Sequence, residues 1–158
     1  MSLIAFKSGL RFSIPFKPGR HQSDPHSEPG YTLAPAEDLS GKCILVVEDV
    51  DTNFFYISSL LKKKNCRVLR ASNGLKAVEI CKSDSSVNLV LMDIELPLMD
   101  GYEATRQIKK IRPDLPIIAQ TAFALMGERE RSVEAGCDDY IAKPIKKEIL
   151  IEAIARLI

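Results

Sequence analysis

The feature that constrains the fold of this chain most strongly is the alternation of short apolar runs with segments of helical periodicity. From Gly41 onward, a run of strand length is followed by a segment with apolar residues at helical spacing, and the pattern repeats five times. Strands that alternate with helices form a parallel sheet with helices on both faces. We predict strands near 43–48, 67–71, 88–93, 117–120 and 139–142, and helices near 52–64, 74–83 and 125–135, with further helices around Ile108 and Ile154.

Polar residues follow four of the predicted strands at their carboxyl ends. Glu48 and Asp49 follow the first strand, and Asp93 closes the third. Thr121 ends the fourth strand, and Lys143 follows the fifth. Ligands of open α/β sheets bind outside the carboxyl ends of the strands. We therefore expect three carboxylates, a hydroxyl and an ammonium to converge on one spot.

These side chains have the chemistry that phosphoryl transfer needs. An ionised aspartate is a competent nucleophile toward phosphorus, and neighbouring carboxylates favour a cation such as Mg²⁺ between them. An ammonium and a hydroxyl can stabilise phosphoryl oxygens. Taken singly, Asp93 could cap a turn, Thr121 could be an ordinary strand residue and Lys143 an exposed lysine. Their joint occurrence at successive strand ends favours a site.

Composition argues against several other classes of function. The formal net charge of +1 gives no support for binding nucleic acid, and no apolar stretch has the length of a membrane span. The N-terminal residues also lack the pattern of a signal peptide. The cysteines are scattered without a CxxC motif, which argues against zinc and disulfides. A cytoplasmic location is expected.

Four stretches closely resemble the receiver domain of two-component response regulators, and the resemblance covers residues 41–158. It implies a flavodoxin-like, CheY-like doubly wound sheet of five parallel strands in the order 2-1-3-4-5, with helices on both faces. It also implies that a phosphohistidine on a histidine kinase or phosphotransfer protein is the phosphoryl donor. The matching stretches are ILVVEDVDTN (44–53), LVLMDIELPLMDGYE (89–103), PIIAQTA (116–122) and AGCDDYIAKPI (135–145).

The resemblance also implies a role for each residue of the predicted site. Asp93 is the expected phosphoacceptor, and Lys143 is expected to pair with the phosphoryl group. Asp49 would bind Mg²⁺ directly and Glu48 through water, while the main-chain carbonyl of Glu95 would be a further metal ligand. Such a domain is a phosphoacceptor with self-phosphotransfer and autodephosphorylation chemistry, and nothing in the sequence suggests an ATP site.

A switch between two conformations is implied as well. In the resemblance, Thr121 and Tyr140 are the switch pair: the phosphoryl group draws the hydroxyl inward, and the tyrosine ring turns into the space that opens. The surface around strands four and five and the helix near 125–135 would change. The Lys143–Pro144 peptide bond is expected to be cis.

Four positions depart from the pattern or vary within it. Glu48 stands where aspartate is commoner, and Gln120 stands where an apolar residue is usual. Glu95 and Phe123 occupy positions that influence the lifetime of the phosphoryl group in the family. One alternative function stays open on these grounds: a receiver-like module that binds partners without phosphorylation.

The first forty residues differ in character from the rest. Residues 17–40 are rich in proline and glycine and are predicted to be a flexible linker. The segment GLRFSIPFKP (9–18) is similar to the closing strand of a histidine-kinase ATP-binding domain. Residues 1–16 are then either the remnant of such a domain, which would make the parent chain a hybrid histidine kinase, or an irregular tail with an added leader sequence.

Overall fold

A five-stranded parallel sheet forms the centre of the domain. The computed structural model describes residues 38–122 and 126–158, and the strands lie in the order β2-β1-β3-β4-β5. The predicted fold class is thereby confirmed. The strands are β1 (Cys43–Val47), β2 (Arg67–Ala71), β3 (Leu89–Asp93), β4 (Ile117–Thr121) and β5 (Asp139–Ala142). The helices are α1 (Asp51–Lys62), α2 (Gly74–Ser83), α3 (Gly101–Ile111), α4 (Met126–Ala135) and α5 (Lys147–Ala155).

Helices cover both faces because successive residues of the central strands point into two different cores. On one face, Val46 and Leu91 pack in a core with residues of α1 and α5. On the other face, Leu45 and Met92 pack with residues of α2 and α3. The strands β1, β3 and β4 are buried along their whole length. Burial on both faces explains why their sequences are continuous apolar runs.

The ends of the elements lie close to their predicted positions, with one difference at α1. We expected Asp51 to be the N-cap of this helix, but the N-cap is Val50 and Asp51 is the first helical residue. The Asp51 carboxylate instead forms an ion pair with Arg70 at 2.7 Å, a stronger partner than a main-chain amide. At the end of α4, Gly136 has a φ of +97°, which is the left-handed C-cap conformation predicted for it.

The predicted N-terminal remnant (1–16) lies outside the described residues, as do most of the predicted linker (17–40) and Phe123. The last residues of that linker pack against the domain. Leu39 is buried, and its amide donates to the carbonyl of Lys64 at 2.9 Å. Within the two described ranges, no helix has the length and apolar character needed to cross a lipid bilayer.

Candidate functional site

The carboxyl ends of the strands bring the predicted side chains to one edge of the sheet. Glu48 directly follows β1 and lies level with Asp93, the last residue of β3, in the parallel register of the two strands. Thr121 ends β4, and Lys143 directly follows β5. The arrangement follows from the parallel topology, because all strands end at the same edge.

Lys143 joins two buried carboxylates. Its ammonium Nζ donates to Asp93 Oδ2 at 2.6 Å and to Glu48 Oε2 at 3.2 Å. Glu48 is fully buried and Asp93 is 3% exposed, so both charges depend on partners inside the protein. The peptide bond that follows, Lys143–Pro144, is cis. The ammonium therefore contacts one carboxylate oxygen of Asp93 directly.

Three carboxylates at this edge are close enough to share a cation. One oxygen each from Glu48, Asp49 and Asp93 can be chosen so that all lie within 4.8 Å of one another. Asp49 is the exposed member and faces the solvent side of the site. A set of oxygen ligands on a small acidic site suits a hard divalent cation such as Mg²⁺. The residues present therefore fit a metal site.

Burial and the Lys143–Asp93 contact shift the pKa values of both groups. Burial raises the pKa of the Asp93 carboxyl, and the hydrogen bond and charge of Lys143 offset this only in part. Burial by itself would lower the pKa of the Lys143 ammonium, but the hydrogen bond and charge of Asp93, with Glu48, raise it instead. In addition, three carboxylates lie at this edge and one ammonium, that of Lys143, contacts two of them. Such a site favours a further cation.

The side chain of Glu48 is fixed by the first turn of α1. Its Oε1 atom accepts hydrogen bonds from the Val50 amide at 3.1 Å and from Asn53 Nδ2 at 3.2 Å. Asn53 was not among the predicted site residues, although it lies within the stretch that carried the resemblance. The available signal is its position in the first turn of α1, a helix that starts at the site.

The loop between β3 and α3 holds the other side of Asp93. The Asp93 Oδ1 atom accepts a hydrogen bond from the Glu95 amide at 3.1 Å. The Gly101 amide donates to the carbonyl of Ile94 at 3.0 Å, and a Cβ atom at Gly101 would clash with the main-chain carbonyl of Asp93. Glycine is required at this position because the first turn of α3 approaches the end of β3 so closely.

An open cleft of about 670 Å³ adjoins these residues, and its lining includes Asp49, Glu95 and Thr121. Thr121 is 3% exposed, so its side chain lies at the inner wall of this cleft. Tyr140 lies on β5 and is 37% exposed. The structure thus places Thr121 beside the carboxylates, while the Tyr140 ring lies at the surface of the domain.

Gln120 is the one departure from the expected pattern that has a structural consequence. It pairs in register with Asp93 on one side and with Ile141 on the other, and its side chain is fully buried. Within residues 38–122 and 126–158, neither its side-chain oxygen nor its nitrogen has a hydrogen-bond partner. Buried polar groups almost always have partners, so this amide is energetically costly in the described conformation.

Comparison with known proteins agrees with the geometry of the site. The family model of the response regulator receiver domain matches residues 44–155. The polar-differentiation response regulator DivK of Brucella anthropi is 37% identical over 116 residues, which cover 72% of this chain and 93% of DivK. Hybrid signal transduction histidine kinase M of Dictyostelium discoideum is 39% identical over 121 residues, 73% of this chain but 5% of the kinase.

Two solved structures are similar over the same region. The receiver domain of the sensor histidine kinase PA1611 from Pseudomonas aeruginosa PAO1, with a magnesium ion in its active-site cleft, has a TM-score of 0.69 at 39% identity. It covers 75% of this chain and 98% of that one. The receiver domain of Saccharomyces cerevisiae Ssk1, crystallised with the histidine phosphotransfer protein Ypd1, has a TM-score of 0.71 at 28% identity, covering 75% and 89%.

The family match spans the whole sheet and the edge at which the carboxylates meet. The two similar structures have the same fold and share 39% and 28% of their residues with this chain. The chain therefore belongs to the response-regulator receiver family and contains a receiver domain of two-component signalling.

Proposed function

We propose that this receiver domain accepts a phosphoryl group from a phosphohistidine onto the side chain of Asp93. The observation that carries the proposal is the contact of 2.6 Å between Lys143 Nζ and Asp93 Oδ2 beside two further carboxylates. The phosphoacceptor oxygen then has a fixed positive charge within reach of the transferred group, and the open cleft gives the donor access.

The transfer is a displacement at phosphorus. A carboxylate oxygen of Asp93 forms a bond to phosphorus while the bond between phosphorus and the histidine nitrogen breaks, and the imidazole leaves with that electron pair as a neutral ring because its other nitrogen carries a proton. The Lys143 ammonium moves from the carboxylate to a phosphoryl oxygen. There it balances negative charge on the phosphoryl group, because the acylated aspartate no longer carries any. Asp93 becomes an acyl phosphate, and the donor becomes a free histidine.

Mg²⁺ is the cofactor that fits the oxygen ligands of the cluster. Glu48, Asp49, Asp93 and the main-chain carbonyl of Glu95 would hold it. When bound, the cation supplies positive charge to the equatorial phosphoryl oxygens. The three clustered carboxylates and the magnesium ion in the similar receiver of PA1611 both support this assignment.

The switch assigned to Thr121 and Tyr140 would carry the signal outward. The Thr121 hydroxyl would donate to a phosphoryl oxygen on Asp93, and the presence of Thr121 in the lining of the cleft supports this role. Tyr140 pairs in register with Ala119, two residues before Thr121, so a shift of β4 reaches the tyrosine through the sheet. The surface of β4, β5 and α4 would change as a result.

The partner in this proposal is a protein that carries a phosphohistidine. The structure of Ssk1 with the phosphotransfer protein Ypd1 shows a similar receiver bound to such a protein. The similarity to hybrid histidine kinase M favours a hybrid kinase as the parent chain, with residues 1–16 as the remnant of its ATP-binding domain and 17–40 as the linker. A cytoplasmic location accords with this role.

The test uses beryllofluoride, an analogue of the phosphoryl group, together with Mg²⁺. Amide resonances of the wild type should shift around residues 93 and 121, and those of the Asp93→Asn variant should stay unchanged. The matched control is Asp84→Asn, which alters an aspartate that accepts hydrogen bonds from Ser86 away from the cluster and should respond like the wild type. Identical responses of the wild type and Asp93→Asn to beryllofluoride would instead favour a module that acts without phosphorylation.

A further inference from the structure

The guanidinium of Arg70, near the end of β2, contacts the loop that carries two of the three clustered carboxylates. Its Nε and one terminal nitrogen donate to the main-chain carbonyl of Glu48 at 3.4 Å. That terminal nitrogen also donates to the carbonyl of Asp49 at 3.3 Å. Arg70 therefore binds the main chain of both residues whose side chains face the predicted cation.

The same guanidinium also contacts two side chains of α1. It forms an ion pair with Asp51 at 2.7 Å and lies over the ring of Phe54 at 4.5 Å from the centroid. The Arg70 side chain is 30% exposed, whereas the Asp51 side chain is 79% exposed. The guanidinium makes these contacts from two nitrogens that are held in one plane, whereas a lysine would have to make all of them from a single ammonium.

We propose that Arg70 is a positioning residue that orients Glu48 and Asp49 for cation binding; this inference rests on the proposed function of the carboxylate cluster. The Glu48 amide already donates to the carbonyl of Ala71 at 3.0 Å. Arg70 adds donors to the next two carbonyls, so the main chain is held on both its donor and acceptor sides. The side chains of Glu48 and Asp49 then leave the loop toward Asp93.

Positioning of this kind matters because Mg²⁺ tolerates little deviation from octahedral geometry. Groups that orient metal ligands typically change metal affinity by about 10-fold to 100-fold when they are removed. The charge of Arg70 alone predicts a change in Mg²⁺ affinity of the opposite sign. Arg70 is a cation near the site, so its removal would strengthen Mg²⁺ binding if only its charge acted there.

The sign of the change in Mg²⁺ affinity therefore tests the inference. Titration of the metal alone, followed by amide resonances or calorimetry, should show Mg²⁺ binding about 10-fold weaker in Arg70→Gln than in the wild type. Arg70→Lys retains the charge and the aliphatic stem and should also bind weakly, because it lacks the planar fork. The matched control is Arg67→Gln on the same strand, whose arginine pairs with Asp84 at 3.7 Å, and it should bind like the wild type.

Thermal unfolding of the same variants separates positioning from a purely structural role. If the role of Arg70 were purely structural, its replacement would lower the melting temperature, but the Mg²⁺ affinity of the still folded protein would be unchanged. Equal or tighter Mg²⁺ binding in Arg70→Gln would overturn the inference while leaving the proposed function standing. A wild type that binds no Mg²⁺ would overturn both. Rescue of affinity by Arg70→Lys would show that charge, and not the planar fork, is what acts.

Discussion

The two edges of this sheet use polar side chains in opposite ways. At the amino edge, side chains bind main-chain amides that start the neighbouring strands. Asn88 Oδ1 accepts from the Cys43 amide at 2.8 Å, and Asp138 Oδ2 accepts from the Ile117 amide at 2.8 Å. Lys109 Nζ donates to that same Asp138 oxygen at 2.8 Å. Each of these side chains forms hydrogen bonds that join one element of the fold to another.

At the carboxyl edge, Glu48 and Asp93 also accept from main-chain amides, but their remaining oxygens bind a shared ammonium, and carboxylates outnumber ammonium groups in this cluster. Lys143 alone bridges Glu48 and Asp93, while the nearby carboxylate of Asp49 is exposed to solvent. Ion pairs of nearly the same length join lysine to aspartate at both edges, and we propose a structural role for the Lys109 pair and a functional role for the Lys143 pair. What differs is whether the surrounding charges balance within the protein.

The largest expected effect separates the two lysines. Lys143→Ala should slow phosphorylation by acetyl phosphate about 100-fold, the typical cost of removing one group that stabilises charge in the transition state. Lys109→Ala removes an equivalent ion pair from the other edge and should leave that rate unchanged. The measurement is the rate of phosphoprotein formation in the presence of Mg²⁺, with circular dichroism to confirm folding. Equal rates for the two variants would contradict the distinction between the edges.

The converse change at the amino edge should affect stability alone. Asp138→Ala removes the acceptor of the Ile117 amide and the partner of Lys109. Since the Asp138 side chain is 37% exposed, we expect the free energy of unfolding to fall by about 1–2 kcal/mol. Urea denaturation measures this loss, and Asp138→Asn, which keeps an acceptor oxygen, should lose less. A phosphorylation rate that fell with stability would count against the comparison.

Gln120 belongs to neither class, because it is buried next to Asp93 without a hydrogen-bond partner in the described residues. Replacing it with leucine removes the cost of the buried amide at similar volume and should raise the free energy of unfolding by about 1 kcal/mol. Gln107→Leu, which alters a half-buried glutamine hydrogen-bonded to Glu103 at 2.9 Å, should not stabilise the protein. A loss of stability in Gln120→Leu would show that the amide has a partner in solution.

The smallest effect is a dependence of stability on pH. Because burial raises the pKa of the Asp93 carboxyl, the folded protein binds a proton there more tightly than the unfolded chain does. Ionised Asp93 therefore destabilises the fold at neutral pH, and this penalty disappears as the pH falls through the raised pKa of the folded state. The stability of the wild type relative to Asp93→Asn should rise between pH 7 and the acid range. A difference independent of pH would contradict the raised pKa.

The sequence predicted the sheet and the convergent residues well, because both depend on local patterns. Burial on two faces produces continuous apolar runs, and parallel strands place their final residues at one edge. The positions of Glu48, Asp93 and Lys143 therefore follow from the strand pattern alone.

The contacts that orient those residues were less predictable. Arg70 reaches the main chain of a loop that precedes it by about twenty residues, and the donors of a guanidinium leave no periodic signal. For the same reason the prediction of Asp51 as the N-cap of α1 was wrong, because its carboxylate binds this distant arginine instead of an amide of its own helix. Such contacts depend on tertiary structure.

The most direct test of the central claim locates the phosphoryl group in the chain. The protein is phosphorylated with and without Mg²⁺, the acyl phosphate is reduced with borohydride, and the resulting homoserine is located by peptide mass spectrometry. We predict that homoserine replaces Asp93 alone, and that it forms only when Mg²⁺ is present. Modification at another carboxylate, or equal modification of Asp93 without Mg²⁺, would contradict the account.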